Sequence, residues 1–105
     1  MVNGNQKGKR GEREAVNELK RVFGIECHRS QQYCGRAGDS DVAVEGLHVE
    51  VKRVESFQLD KAVEQATADA GETPWIVMHK KNRKPWLIVV TPENLLRVAE
   101  VLGKK

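Results

Sequence analysis

Asp41-Val42-Ala43-Val44-Glu45-Gly46-Leu47-His48-Val49-Glu50-Val51-Lys52 is the stretch that decides the fold. Two β-type runs flank Glu45-Gly46, a pair suited to a two-residue hairpin turn. If that turn forms, Val44 faces Leu47 and the pairs run outward from there. Val42, Val44, Val49 and Val51 then build a core face, because strand side chains alternate. The other face carries Asp41, Ala43, His48 and Glu50, and Asp41 lies directly opposite Glu50. Like charges at an opposed cross-strand position destabilise a sheet. A register shift of two would leave these carboxylates diagonal and still close.

Working outward, residues 1–11 read as a flexible basic arm, polar and glycine-rich, with Lys7, Lys9 and Arg10. Ala15, Val16, Leu19, Val22 and Phe23 recur at helical spacing from Glu12 to Phe23, and Gly24 supplies a stop. Ile25 to Ser30 reads as a short strand and Gln31 to Gly38 as a loop. Beyond the hairpin, Ser56 is placed to cap a helix running to about Ala70, with Leu59, Ala62, Val63, Ala66 and Ala70 on one face. Trp75 to His79 and Trp86 to Val90 are apolar runs joined by a basic turn. Thr91-Pro92 opens a last helix with Leu95, Leu96, Ala99 and Leu102 as its stripe. The order is α-β-β-β-α-β-β-α, one α/β domain over residues 12–103. The middle helix crosses between two strands, which predicts a parallel pair in an otherwise antiparallel sheet.

With 105 residues, 39% hydrophobic and 31% charged, the composition is globular and sized for a single domain. The longest apolar run, Trp86 to Val90, is far short of the roughly 20 residues that span a bilayer. Cys27 and Cys34 are too few for a disulfide framework, which suits reduced thiols and a cytoplasmic location. The net charge of +3 and pI near 9.0 hint at a polyanionic partner.

Three carboxylates stand where a solvated surface does not explain them. Glu12 projects onto the apolar arc of the first helix, although an acid in a first turn also complements the helix dipole. Asp41 and Glu50 oppose each other, and two nearby acids either share a proton or bind a cation, unless both are simply hydrated. Lys52, two residues after Glu50, returns to the carboxylate face, where Glu12 can approach from its helix. Oxygen ligands suit Mg²⁺, and an adjacent ammonium can orient water or stabilise a phosphate. A simpler role for Lys52 is to neutralise Asp39, which the same register places across from it, and the two roles are compatible.

These residues resemble the PD-(D/E)xK nuclease superfamily and its restriction-endonuclease-like fold, a central mixed five-stranded sheet flanked by helices. Asp41 in Asp39-Ser40-Asp41-Val42 and the triplet Glu50-Val51-Lys52 carry the resemblance. Lys7-Gly8-Lys9-Arg10-Gly11-Glu12-Arg13-Glu14 is similar to the opening of archaeal-type Holliday-junction resolvases, as is Arg29-Ser30. Glu50 to Glu55 followed by Gln65-Ala66 resembles small phage endonucleases. Ser40 stands where the motif has proline, which leaves Asp39 as a rival to Asp41; position opposite Glu50 favours Asp41.

The resemblance implies a metal-dependent, structure-selective endonuclease that hydrolyses DNA phosphodiesters, a Holliday-junction resolvase acting on branched double-stranded DNA. Asp41, Glu50 and the Val51 carbonyl would hold Mg²⁺ or Mn²⁺, with Glu12 completing the site. Lys52 would position water and Gln65 would support it. Organic cofactors have no place in that chemistry. Lys7, Lys9, Arg10, Arg13, Arg29, Ser30, Arg36 and Arg53 flank the site as candidate DNA contacts. Lys80, Lys81, Arg83 and Lys84 are read as keeping a hairpin tip soluble. Two symmetric cuts imply a homodimer. Two other readings stand beside this one: a phage-type nicking, flap or repair nuclease without junction selectivity, and a non-catalytic DNA-binding module. The cysteines and histidines lack zinc-site spacing.

Overall fold

The computed structural model describes residues 4–30 and 40–103, and of residues 4–8 the backbone alone. Its elements are α1 (Gly4–Phe23), β1 (His28–Arg29), β2 (Val42–Val44), β3 (Leu47–Lys52), α2 (Leu59–Ala70), β4 (Trp75–His79), β5 (Leu87–Val89) and α3 (Pro92–Leu102). This is the expected order. The strands form one sheet in the order β1-β2-β3-β4-β5. β3 and β4 are parallel, with Val49 beside Ile76 and Glu50 beside Val77, and the other neighbours are antiparallel. The α2 crossover is what permits the parallel pair, since a tight turn cannot join parallel strands.

The β2–β3 hairpin takes the expected register, Val44 with Leu47, Ala43 with His48 and Val42 with Val49. Gly46 sits at φ +79°, a left-handed conformation that lets the chain reverse there at no steric cost.

Alternation along the strands creates two different faces. On one, Ala15, Val16 and Leu19 of α1 and Val98 and Leu102 of α3 pack with Val42, Val49, Ile76 and Met78. On the other, Ala62 and Ala66 of α2 pack with Trp75 and Val77. Helices on both faces of a mixed sheet give a three-layer domain.

Three boundaries and one helix face differ from the sequence expectation. α1 begins at Gly4, so residues 4–11 continue the helix instead of forming a separate arm. β1 shrinks to His28–Arg29. α2 starts at Leu59 with Gln58, not Ser56, in the extended N-cap position. The reason is visible in Phe57, whose ring stacks on His79 with centroids 3.9 Å apart, a contact that an earlier helix start would pull away. In α3 the buried face is Asn94, Val98 and Leu102, while Leu95 and Leu96 are 50% and 77% exposed. There the Asn94 amide donates to the Trp75 carbonyl at 2.6 Å, so a polar residue occupies a core position and rotates the helix away from its apparent apolar stripe. Val22 of α1 is likewise exposed. The predicted loop Gln31 to Gly38, and with it Tyr33, Cys34, Arg36 and the rival ligand Asp39, lies outside the described residues.

Candidate active site

β2 and β3 part company at Asp41. The Asp41 amide donates to the Val49 carbonyl at 2.8 Å, although Val49 is already the register partner of Val42. The ladder is therefore offset at this residue, in the manner of a bulge. Beyond it the Asp41 carboxylate takes over the backbone's role and accepts the Val51 N–H at 2.8 Å through Oδ2. An extended residue turns its N–H and C=O to the same side, so the Val51 carbonyl also faces this fork. Ser40 braces the opening: its hydroxyl accepts the Val49 N–H at 2.8 Å and donates to the Val42 carbonyl. Those bonds shape the backbone at the position where the nuclease motif has proline. The direct opposition of Asp41 and Glu50 expected from an unbroken ladder is thus relieved. Asp41 is bonded to the backbone of Val51, and Glu50 has a different partner.

That partner is His48, on the same face of β3. His48 Nε2 and Glu50 Oε1 are 2.7 Å apart, with the two residues only 5% and 3% exposed. Fully hydrated acids on an open hairpin face are excluded for Glu50. The lid over this face is α2. Its Gln65 accepts from Lys52 Nζ at 3.0 Å through Oε1. Asp69, one turn further along α2, comes close enough that its carboxylate and the His48 and Glu50 ligand atoms lie within 4.8 Å of one another. Among the described residues this is the group of three imidazole and carboxylate side chains so disposed; Glu12 and Asp41 do not join it. Asp69 was missed from the sequence, though its four-residue spacing from Gln65 puts both on one helix face.

Glu12 reaches this end of the sheet from the other side. α1 packs on the valine face, opposite Glu50 and Lys52, which corrects the expectation of one shared face. Its position is fixed by Gly11, where an added Cβ would stand 2.6 Å from the Cβ of Arg53. Glu12 Oε1 accepts from Arg29 Nε at 3.2 Å. Arg29 pairs with Val42, next to Asp41, and the Ser30 amide donates to the Asp41 carbonyl at 3.2 Å. Glu12 and Asp41 therefore flank the same strand edge through β1.

Of the candidate DNA contacts, Lys9, Arg10 and Arg13 are exposed on α1. Arg53 is not an open cation. Its guanidinium donates to Asn82 Oδ1 at 2.9 Å and to the Lys80 carbonyl at 3.4 Å, and it pairs with Glu14 and Glu55 at 3.5 and 3.6 Å. It ties α1, β3 and the β4–β5 turn together. The side chain of Lys7 lies outside the described residues, as does Arg36. Beside Lys52, a groove of about 300 Å³ is lined by Ser56, Gln58, Lys61 and Gln65, which carries cationic and hydrogen-bonding groups up to the proposed site.

The donor chemistry fits a hard divalent cation. The Asp41 and Glu50 carboxylates and the Val51 carbonyl offer oxygen donors, the type that suits Mg²⁺ or Mn²⁺. Since Glu50 Oε1 is engaged by His48, Oε2 is the oxygen it has to offer.

An α-β-β-β-α-β-β-α chain with a mixed five-stranded sheet between helices has the restriction-endonuclease-like fold. Among solved structures, the chain is similar to Hjc of Archaeoglobus fulgidus, a Holliday junction resolvase from an archaeal hyperthermophile. The likeness has a TM-score of 0.57 and 26% sequence identity, and covers 77% of this chain and 73% of that one. No protein-family profile matches the chain, and no curated protein sequence does. The comparison supports the resemblance to the nuclease superfamily. Among the described residues, no helix is long and apolar enough to cross a membrane.

Proposed function

We propose that this protein is a divalent-metal-dependent endonuclease that resolves branched DNA, with four-way junctions as its preferred substrate. The observation that supports the reading is the β2–β3 fork, where the Asp41 carboxylate accepts the Val51 N–H and Lys52 is held by Gln65 two residues beyond Glu50, on a fold similar to that of a junction resolvase.

Asp41, Glu50 and Val51 would hold Mg²⁺ or Mn²⁺, which when bound neutralises phosphate charge and lowers the pKa of water. Lys52 then performs the work of an ammonium. Held by Gln65, it orients the attacking water and stabilises negative charge on the phosphate as the P–O bond to the leaving oxygen breaks. Glu12, which α1 presents from the opposite side of the sheet and Arg29 holds at 3.2 Å, would complete the site through water. Lys9, Arg10 and Arg13 on α1, and Lys61 in the groove beside Lys52, contact phosphates, so binding weakens with salt.

Two symmetric cuts call for two sites related by a dyad. Leu95 and Leu96 of α3, 50% and 77% exposed, are the apolar groups we assign to a homodimer contact. The enzyme acts in the cytoplasm, in the host's if the chain is encoded by a phage.

The test is cleavage of a synthetic four-way junction in Mg²⁺ or Mn²⁺, compared with nicked, flapped and linear duplexes. The expected result is preferential junction cutting, abolished by EDTA. Glu50→Ala and Lys52→Ala should each lower cleavage by about 10²-fold or more with junction binding retained. Equal rates on all substrates would remove junction selectivity and leave a general nicking or flap nuclease. A wild-type protein that binds junctions and cuts nothing would make it a binding module.

A further inference from the structure

We infer that His48 is a positioning residue for Glu50, fixing one carboxylate oxygen so that the other is presented to the cation. The inference rests on the nuclease reading above and extends it to a residue outside the Glu-x-Lys triplet.

His48 and Glu50 are two positions apart on β3, so their side chains emerge on the same face. Both are buried beneath α2, and the bond between them is short at 2.7 Å. In the role proposed for Glu50, as a carboxylate ligand, the bond requires the His48 tautomer that carries its proton on Nε2 and donates it to Oε1. A glutamate side chain is otherwise free to rotate, and freezing it upon cation binding costs affinity. In this protein the ordering is done before any cation arrives. Hydrogen bonds of this kind to ligating carboxylates typically govern metal affinity by about 10- to 100-fold.

Asp69 makes the arrangement testable in a sharper way. With His48, Glu50 and Asp69 all within 4.8 Å, the same three groups could instead ligate a metal directly, imidazole included. The two arrangements differ in whether nitrogen touches the ion.

The experiment is Mn²⁺ binding to the DNA-free full chain, followed by calorimetry and by electron paramagnetic resonance. Wild type is compared with His48→Ala and with His48→Gln, whose amide can replace the Nε2 donor. The inference expects Mn²⁺ affinity to fall about 10- to 100-fold in His48→Ala and to return most of the way in His48→Gln. Junction cleavage by His48→Ala should recover at saturating Mn²⁺, because the loss lies in metal requirement and not in the chemical step. Thermal unfolding of each variant verifies folding, and if His48→Ala does not fold, the polar-conserving His48→Gln against His48→Leu carries the comparison. Unchanged Mn²⁺ affinity in folded variants lacking the donor would overturn the inference while leaving the nuclease reading intact. So would nitrogen hyperfine coupling from a histidine on Mn²⁺ bound to wild type, which would make His48 a ligand. A wild-type chain that binds no Mn²⁺ at all would remove both.

Discussion

Gly11→Ala sets two ordinary effects against each other, and the structure decides between them. Within a helix, alanine is favoured over glycine by about 1 kcal/mol, and Gly11 lies inside α1, so propensity alone predicts a more stable protein. The new methyl, however, would stand 2.6 Å from Arg53 Cβ and 3.2 Å from its Cγ. That is not the loose end of a long side chain. The Arg53 guanidinium is anchored to Asn82, Glu14 and the Lys80 carbonyl, so α1 must move instead. Forcing a methyl into a closed contact costs about 1–3 kcal/mol, and this contact belongs at the upper end. The net expectation is a loss of about 2 kcal/mol, or roughly 8 °C in Tm for a domain of this size. Differential scanning calorimetry and urea unfolding measure it. Because Glu12 is the next residue, junction cleavage should fall along with stability. An alanine variant at least as stable as wild type would show that α1 does not rest on β3 as described.

Asn94→Ala should cost about 1–3 kcal/mol in urea unfolding, because it leaves the buried Trp75 carbonyl without its 2.6 Å donor. Gln65→Ala removes the partner of Lys52; we expect cleavage to drop about two- to tenfold with junction affinity unchanged, the kinetic equivalent of losing one exposed hydrogen bond. For Cys27, burial pushes the thiol pKa up, Lys20 opposes this and Glu26 adds to it. Its contribution to stability is therefore complete below the ordinary thiol range and is lost as pH rises through the elevated folded value. Urea midpoints at neutral and alkaline pH should diverge in wild type and diverge less in Cys27→Ala.

Sequence periodicity revealed most of the sheet, for a local reason. The hairpin register follows from one turn and strict alternation, and Val42, Val49, Ile76 and Met78 behave as alternation requires. Helix faces were harder. Leu95 and Leu96 look like a core stripe, yet Asn94 goes inward because a strand carbonyl on another element needs its amide. The site was legible as a set of residue types but not as a geometry. Asp41 and Glu50 were expected face to face, and only a local break in the ladder, invisible to a pairing rule, let Asp41 turn to Val51. Alternation already put His48 on the Glu50 face, but the approach of Asp69 to that pair is created by the α2 crossover, which no short-range spacing encodes. Arg53 looked like a DNA contact because charge alone does not reveal that acidic and amide partners from α1 and from residues 55 and 82 enclose it.

The same crossover has a bearing on how the protein is made. Lys52 meets Gln65 only once α2 has swung back over β3, and α2 is locked there by β4, which is synthesised later. A nascent chain that stops before Trp75 carries every residue of the motif without the architecture that arms it. On the proposed nuclease reading, cutting ability should therefore arrive in a single step with completion of the fold.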